Sequence, residues 1–185
     1  IKTAGVRVCP DTAQFEMVYN AEFFDSLSEQ HIKGVLKHEF YHLIFEHVTD
    51  RKPEGVEHKT WNIAADLAIN SHLQGELPEL ACMPGVGPFK DLPLGESAEW
   101  YLKHLTDDML DQCDTGDGDG EPQPGTGQLD DHEGWEAGEG EDAAATNAMA
   151  KERLKQAMKE AANEASKSPN GWGSVSGDLK KEIIK

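Results

Sequence analysis

The sequence predicts an α+β fold, mostly helical with a small sheet. Three observations carry this. Two short runs near the start, 3–9 and 15–19, are rich in β-branched and aromatic residues. Apolar residues then recur at helical spacing across 28–49, 59–73 and 96–110. A last run, 143–167, is dense in Ala, Lys, Glu, Met and Gln, which favour helix.

Taken in order, Cys9-Pro10-Asp11-Thr12 separates the two strand runs and reads as a hairpin turn. Asn20 to Asp25 is a transition that offers Phe23 and Phe24 for packing. Ser28 caps the first helix, with Ser26 as an alternative that places Glu29 at the capping-box position. Its apolar positions are Ile32, Val35, Leu36, Phe40, Leu43, Ile44 and Val48, and Pro53 and Gly55 close it. In the second helix Trp61, Ala65, Ala68, Ile69 and His72 share a side, and Gly75 and Pro78 end it. Residues 76–95, rich in Pro and Gly, form a loop. Ser97 caps the third helix, whose apolar face is Trp100, Tyr101, Leu105 and Leu110.

Composition then changes. No Lys or Arg lies between Lys103 and Lys151, and residues 107–142 hold 14 Asp and Glu. Such a stretch buries too little apolar surface to offset its ordering entropy, so part of it is expected to be mobile. One island, Leu129 to Trp135, interrupts it with a His and a Trp and is expected to dock on the rest. The helix over 143–167 has a shallow, mostly Ala packing face, and Ser168-Pro169-Asn170-Gly171 stops it. The organisation expected is a core over 1–110, an acidic Gly-rich segment over 111–142, and a helical part of the same domain over 143–185. The final run, from Ser176, ends in mid-pattern, so a continuation is expected.

The formal net charge of −18 sets the partners. So acidic a chain repels phosphate backbones and anionic membranes, so neither nucleic acid nor a membrane is expected as a partner. No 18-residue apolar run is present. Cys9, Cys82 and Cys113 are odd in number and widely spaced, which points to neither a disulfide framework nor a thiolate zinc site. A reducing compartment, the cytoplasm, fits best. The chain opens on Ile1 rather than Met, so a removed or further upstream segment is expected.

The chemistry centres on His38-Glu39-Phe40-Tyr41-His42, an HExxH motif. On a helix, positions four apart differ by only about 40°, so both imidazoles can reach one zinc ion. Glu39 lies beside them, placed to take the proton of a water acidified by the metal and to return it to a leaving amine. The competing reading is two packing histidines beside an unrelated Glu. The motif sits in mid-helix, as this chemistry requires.

A third ligand is needed. His47 follows His42 by five residues and points about 140° away around the helix, which suits a packing role better. Asp66 is the first choice, because a carboxylate in the apolar window WNIAADLAIN is costly unless paired or metal-bound. Asn62 and Asn70, one turn to either side, can orient it. The competing reading is a polar helix-to-helix network without metal. His72 is the next candidate, and Glu57 and His58 are weaker ones. The metzincin extension is absent, since Phe45 and Val48 stand at its positions. Asp114 to Glu121 begins like a calcium loop, but position twelve falls on Gly125 or Gln128, so a flexible acidic linker is the better reading.

The run Val35 to Arg51 (VLKHEFYHLIFEHVTDR), followed by Trp61 to Asn70, resembles the metallopeptidase domain found beside von Willebrand factor A-like domains in bacterial and phage proteins. Tyr19-Asn20, the prolines near 78–93 and Asp130 to Trp135 are similar to it too, and the likeness covers roughly 1–185. The resemblance implies a zincin-like fold and a zinc held by His38 and His42, with Asp66 as third ligand. It also implies an A-like domain after Lys185, a partner in cis or trans. His132, in the acidic island, becomes a candidate to stabilise the oxyanion or add a ligand, against a loop merely anchored by Trp135. Tyr19 is a weaker oxyanion donor, and Tyr41 points elsewhere on the helix. The leading function is zinc-dependent hydrolysis of peptide bonds in an extended peptide or protein substrate. The alternative is a non-catalytic, metal-stabilised interaction or regulatory module; Glu39 favours hydrolysis, since a structural zinc needs no base.

Overall fold

The β-branched runs pair as expected. Strands β1 (Ala4–Val8) and β2 (Phe15–Tyr19) are antiparallel, in register from Ala4 opposite Tyr19 to Val8 opposite Phe15. The computed structural model describes residues 2–47, 51–113, 125–127, 129, 141–169, 171–173, 177 and 180–181. Within β1 only Arg7 is exposed, where it meets Glu16 across the ladder at 2.6 Å. The rest of β1 is buried, and the strand packs against the helices over Glu29–Ile44 and Glu141–Lys167.

The transition at 21–25 is a short helix, α1 (Ala21–Asp25), capped by the Asn20 side chain. Helix α2 (Glu29–Ile44) starts at Ser28, whose hydroxyl accepts from His31 N–H at 3.2 Å. It stops at Ile44 rather than running to 49. Glu46 adopts φ +59°, which turns the chain out of the helix. A Glu in the left-handed region is uncommon, so the sequence carries no glycine to announce this stop. Leu36 and Phe40, read as core-facing, are exposed.

Helix α3 (His58–Asn70) is the centre of the molecule. Every residue from Trp61 to Leu67 is buried, the pattern of a helix surrounded on all sides. Ala64 and Ala65 keep it slim where neighbours approach. It packs against α2 and against α4 (Ala98–His104), and it contributes to all three apolar clusters among the described residues. The expected single helix over 96–110 is two: α4, then α5 (Asp107–Gln112). Leu105 is extended and the Thr106 hydroxyl accepts from Met109 N–H. Thr-Asp-Asp is itself a helix-start signal, capped and acidic in its first turn, and it outweighs the apolar period that bridges it.

The Pro- and Gly-rich loop is tied down. Tyr101, wholly buried, donates its hydroxyl to Pro93 C=O at 2.6 Å and contacts Ser71 Oγ at 3.1 Å. Tyr101→Phe leaves the Pro93 carbonyl without this donor, so urea unfolding is expected to show a loss of about 1–2 kcal/mol at unchanged slope. Ala81 bridges Gly127, with Cys82 N–H bonded to Gly127 C=O at 3.0 Å, and Leu129 is buried against Val35, Ile69 and Leu73. Leu129, at the edge of the acidic island, is therefore docked; Asp130 to Trp135, including His132, lie outside the described residues, as does Asp114 to Glu121. Helix α6 (Glu141–Lys167) seats Ala150 against Val6, Val8, Leu43 and Trp61, and Arg153 bonds the Thr12 and Ala13 carbonyls. Among the described residues no helix is long and apolar enough to cross a membrane.

Candidate metal centre

Helix α2 turns His38, Glu39 and His42 inward, each at most 1% exposed. The spacing of four brings the two imidazoles edge to face, 4.7 Å apart at 77°, with their Nε2 atoms 3.0 Å from one another. From α3, Asp66 reaches the same point. Its Oδ1 lies 3.3 Å from His42 Nε2 and 3.7 Å from His38 Nε2, and the carboxylate is 1% exposed. These three side chains form a group that can hold a metal ion.

The first histidine is oriented by a chain of hydrogen bonds. Asn70 donates its amide to Cys82 C=O at 2.7 Å, which turns Oδ1 toward His38. That oxygen stands 2.7 Å from His38 Nδ1. An amide oxygen only accepts, so the His38 proton sits on Nδ1 and its Nε2 presents a lone pair to the centre. Asn70 thus serves His38 and not Asp66, contrary to the role its spacing suggests. Its carbonyl anchor, Cys82, belongs to the loop bridged to Gly127, so the loop supports the site from behind.

The other candidates fall elsewhere. His72 stacks on Phe45 at 6.1 Å and 17° and is not in the group. Glu57 is the exposed N-cap residue of α3 and His58 its first residue. Tyr41 packs edge-on against Phe45, and burial pushes its hydroxyl pKa up. Tyr19 is exposed and leans on Phe24. His47 is buried as the packing role requires, and its Nδ1 stands 3.3 Å from His42 Nδ1. This contact is not visible in helical spacing, because a chain reversal brings the ring back.

Comparison with known proteins agrees with the arrangement. The model of a family described as "Putative metallopeptidase domain" matches residues 4–181. No curated protein and no solved structure matches the chain. The matched range includes both strands, α2 with its two histidines, and α3 with Asp66, so the chain belongs to this family.

Proposed function

We propose that this domain is a zinc-dependent peptidase of zincin-like arrangement, with His38, His42 and Asp66 as protein ligands. One observation carries the reading: the separations of 3.0, 3.3 and 3.7 Å among the two Nε2 atoms and Asp66 Oδ1. Two of these are longer than a charge-assisted N–H···O bond of about 2.7–2.9 Å, which a metal-free His–Asp network would favour. Donors placed tetrahedrally at about 2.0–2.1 Å from one zinc stand roughly 3.3 Å apart. Two neutral imidazoles and a carboxylate are also a donor set that zinc accepts, and three protein donors is the number a catalytic site uses.

Zinc held by His38, His42 and Asp66 would acidify a water and polarise a carbonyl. Glu39, buried one residue from His38, takes the water's proton as the oxygen attacks the peptide carbonyl. The same carboxyl returns the proton to the departing amine. Asp66 lowers the net charge of the centre, and Asn70 keeps His38 in the ligating tautomer. The substrate is a peptide or protein in extended form. His132 is the candidate for oxyanion stabilisation, on the strength of its sequence island. The packing of α6 on β1 supports reading 143–185 as part of the same domain. An A-like partner rests on the family resemblance, and cytoplasmic action on the cysteine usage.

Metal analysis of the wild type beside Asp66→Ala tests the centre. The wild type is expected to hold about one zinc, and the variant to bind at least about 100-fold more weakly for want of the Asp66 carboxylate. Wild-type protein that takes up no zinc after chelator treatment and zinc addition sinks the proposal.

A further inference from the structure

We propose that His47 is a positioning residue for the metal centre: its Nδ1 accepts the Nδ1 proton of His42 and so holds the His42 Nε2 lone pair on the ion. The inference rests on the zinc reading above and extends it to a residue outside the ligand set.

The argument begins with the end of α2. Glu46 N–H bonds Leu43 C=O at 3.0 Å, and His47 N–H bonds His42 C=O at 3.0 Å. This pair of bonds is a Schellman closure, in which the residue before the last donor takes the left-handed conformation. Glycine usually occupies that place; here it is Glu46, at φ +59° and a cost of about 1 kcal/mol. Lys151 from α6 meets the Glu46 carboxylate at 3.0 Å. Arg51 bonds the neighbouring Phe45 carbonyl at 3.2 Å and pairs with Glu99 at 2.6 Å. A strained residue is thus held in place from two sides.

The reversal sets the His47 ring over His42. The ring is 3% exposed, stacked on Phe45 at 5.9 Å and 23°, and met edge-on by Trp61 of α3 at 5.8 Å and 86°. These contacts fix its plane, and its Nδ1 then faces His42 Nδ1 at 3.3 Å. Two ring nitrogens in contact need one donor and one acceptor. The opposite nitrogen of His42 faces Asp66 and His38, where an ion requires it unprotonated. The proton therefore belongs on His42 Nδ1, and His47 Nδ1 accepts it. His38 has the same arrangement through Asn70. Each ligand ring thus has a buried partner that orients it, an amide oxygen for His38 and an imidazole for His42.

The test compares zinc affinity by chelator competition in the full chain, for the wild type, His47→Leu and His47→Asn. Asn places a carbonyl oxygen near where Nδ1 stands; Leu fills the space without an acceptor. In parallel, nitrogen-15 spectra of the zinc-loaded wild type report which ring nitrogen of His47 carries its proton. The expected result is a loss of about 10- to 100-fold in His47→Leu, recovery to within about threefold in His47→Asn, and a His47 ring protonated on Nε2 with Nδ1 bare. A folded His47→Leu with wild-type affinity overturns the inference, as does a His47 proton on Nδ1; the spectrum decides alone if His47→Leu does not fold. A wild type that binds no zinc removes both this inference and the zinc reading, whereas a zinc-binding wild type with an unaffected His47→Leu removes only this one.

Discussion

Glu39→Gln is expected to keep one zinc and to lose peptide hydrolysis by about 10²- to 10⁴-fold, the usual worth of a general base. Gln has nearly the shape of Glu, and position 39 is inside α2 at 1% exposure, so the helix should accept it without rearrangement. The proposed ligands His38, His42 and Asp66 are untouched. What disappears is the ability to take a proton from water and hand it to the leaving amine. Single-turnover cleavage of an unstructured protein substrate, measured beside zinc content, separates the two effects. Hydrolysis at the wild-type rate with zinc bound removes Glu39 from the mechanism. Loss of zinc together with activity makes Glu39 a support of the centre rather than its base. For the non-catalytic alternative, the wild type itself holds zinc and cleaves nothing, and Glu39→Gln changes neither.

The site was legible in the sequence to the extent that it depends on helical spacing. His38 and His42 converge because four residues make about one turn, and Asp66 stood out because an acid in an apolar window needs a partner. Both signals are local. Their convergence on one point depends on how α2 crosses α3, which no spacing records, yet the chemistry of the residues selected two helices whose side chains the fold brings together. The supports were not legible. Asn70 reaches His38 across 32 positions because its amide is turned by the Cys82 carbonyl. His47 reaches His42 only because Glu46 takes a conformation that its residue type disfavours. The helix ends failed for related reasons. Apolar periodicity continues through Phe45 and Val48, and through Leu105, where backbone conformation and a Thr cap break it. Periodicity also overcounts the core, since Leu36 and Phe40 keep the period while standing in solvent.

Gly34 shows how closely the two helices of the site are drawn together, and Gly34→Ala should reveal it. In an exposed helix interior this change stabilises by up to about 1 kcal/mol. Here a Cβ would stand 2.7 Å from the Glu76 carbonyl carbon and nearer still to its oxygen. The obstacle is backbone, which cannot swing aside as the end of a side chain can. The turn after α3 is also fastened to α2 on either side of the glycine, by Gln30 to Gly75 C=O at 2.6 Å and by the Lys37–Glu76 ion pair. Gly34 therefore marks a close approach of α2 to the turn that follows α3. Overpacking of this kind costs about 3 kcal/mol or more, so after the helix gain a net loss of at least about 2 kcal/mol is expected in urea unfolding. His38 lies one turn along from Gly34, while Asp66 and Asn70 precede the turn that must yield. Zinc affinity should then fall with stability, although no ligand has changed. A stability equal to or above the wild type would mean that the turn gives way at little cost. The separation of α2 and α3, and with it the spacing of the three donor atoms, would then have to be set elsewhere along the two helices.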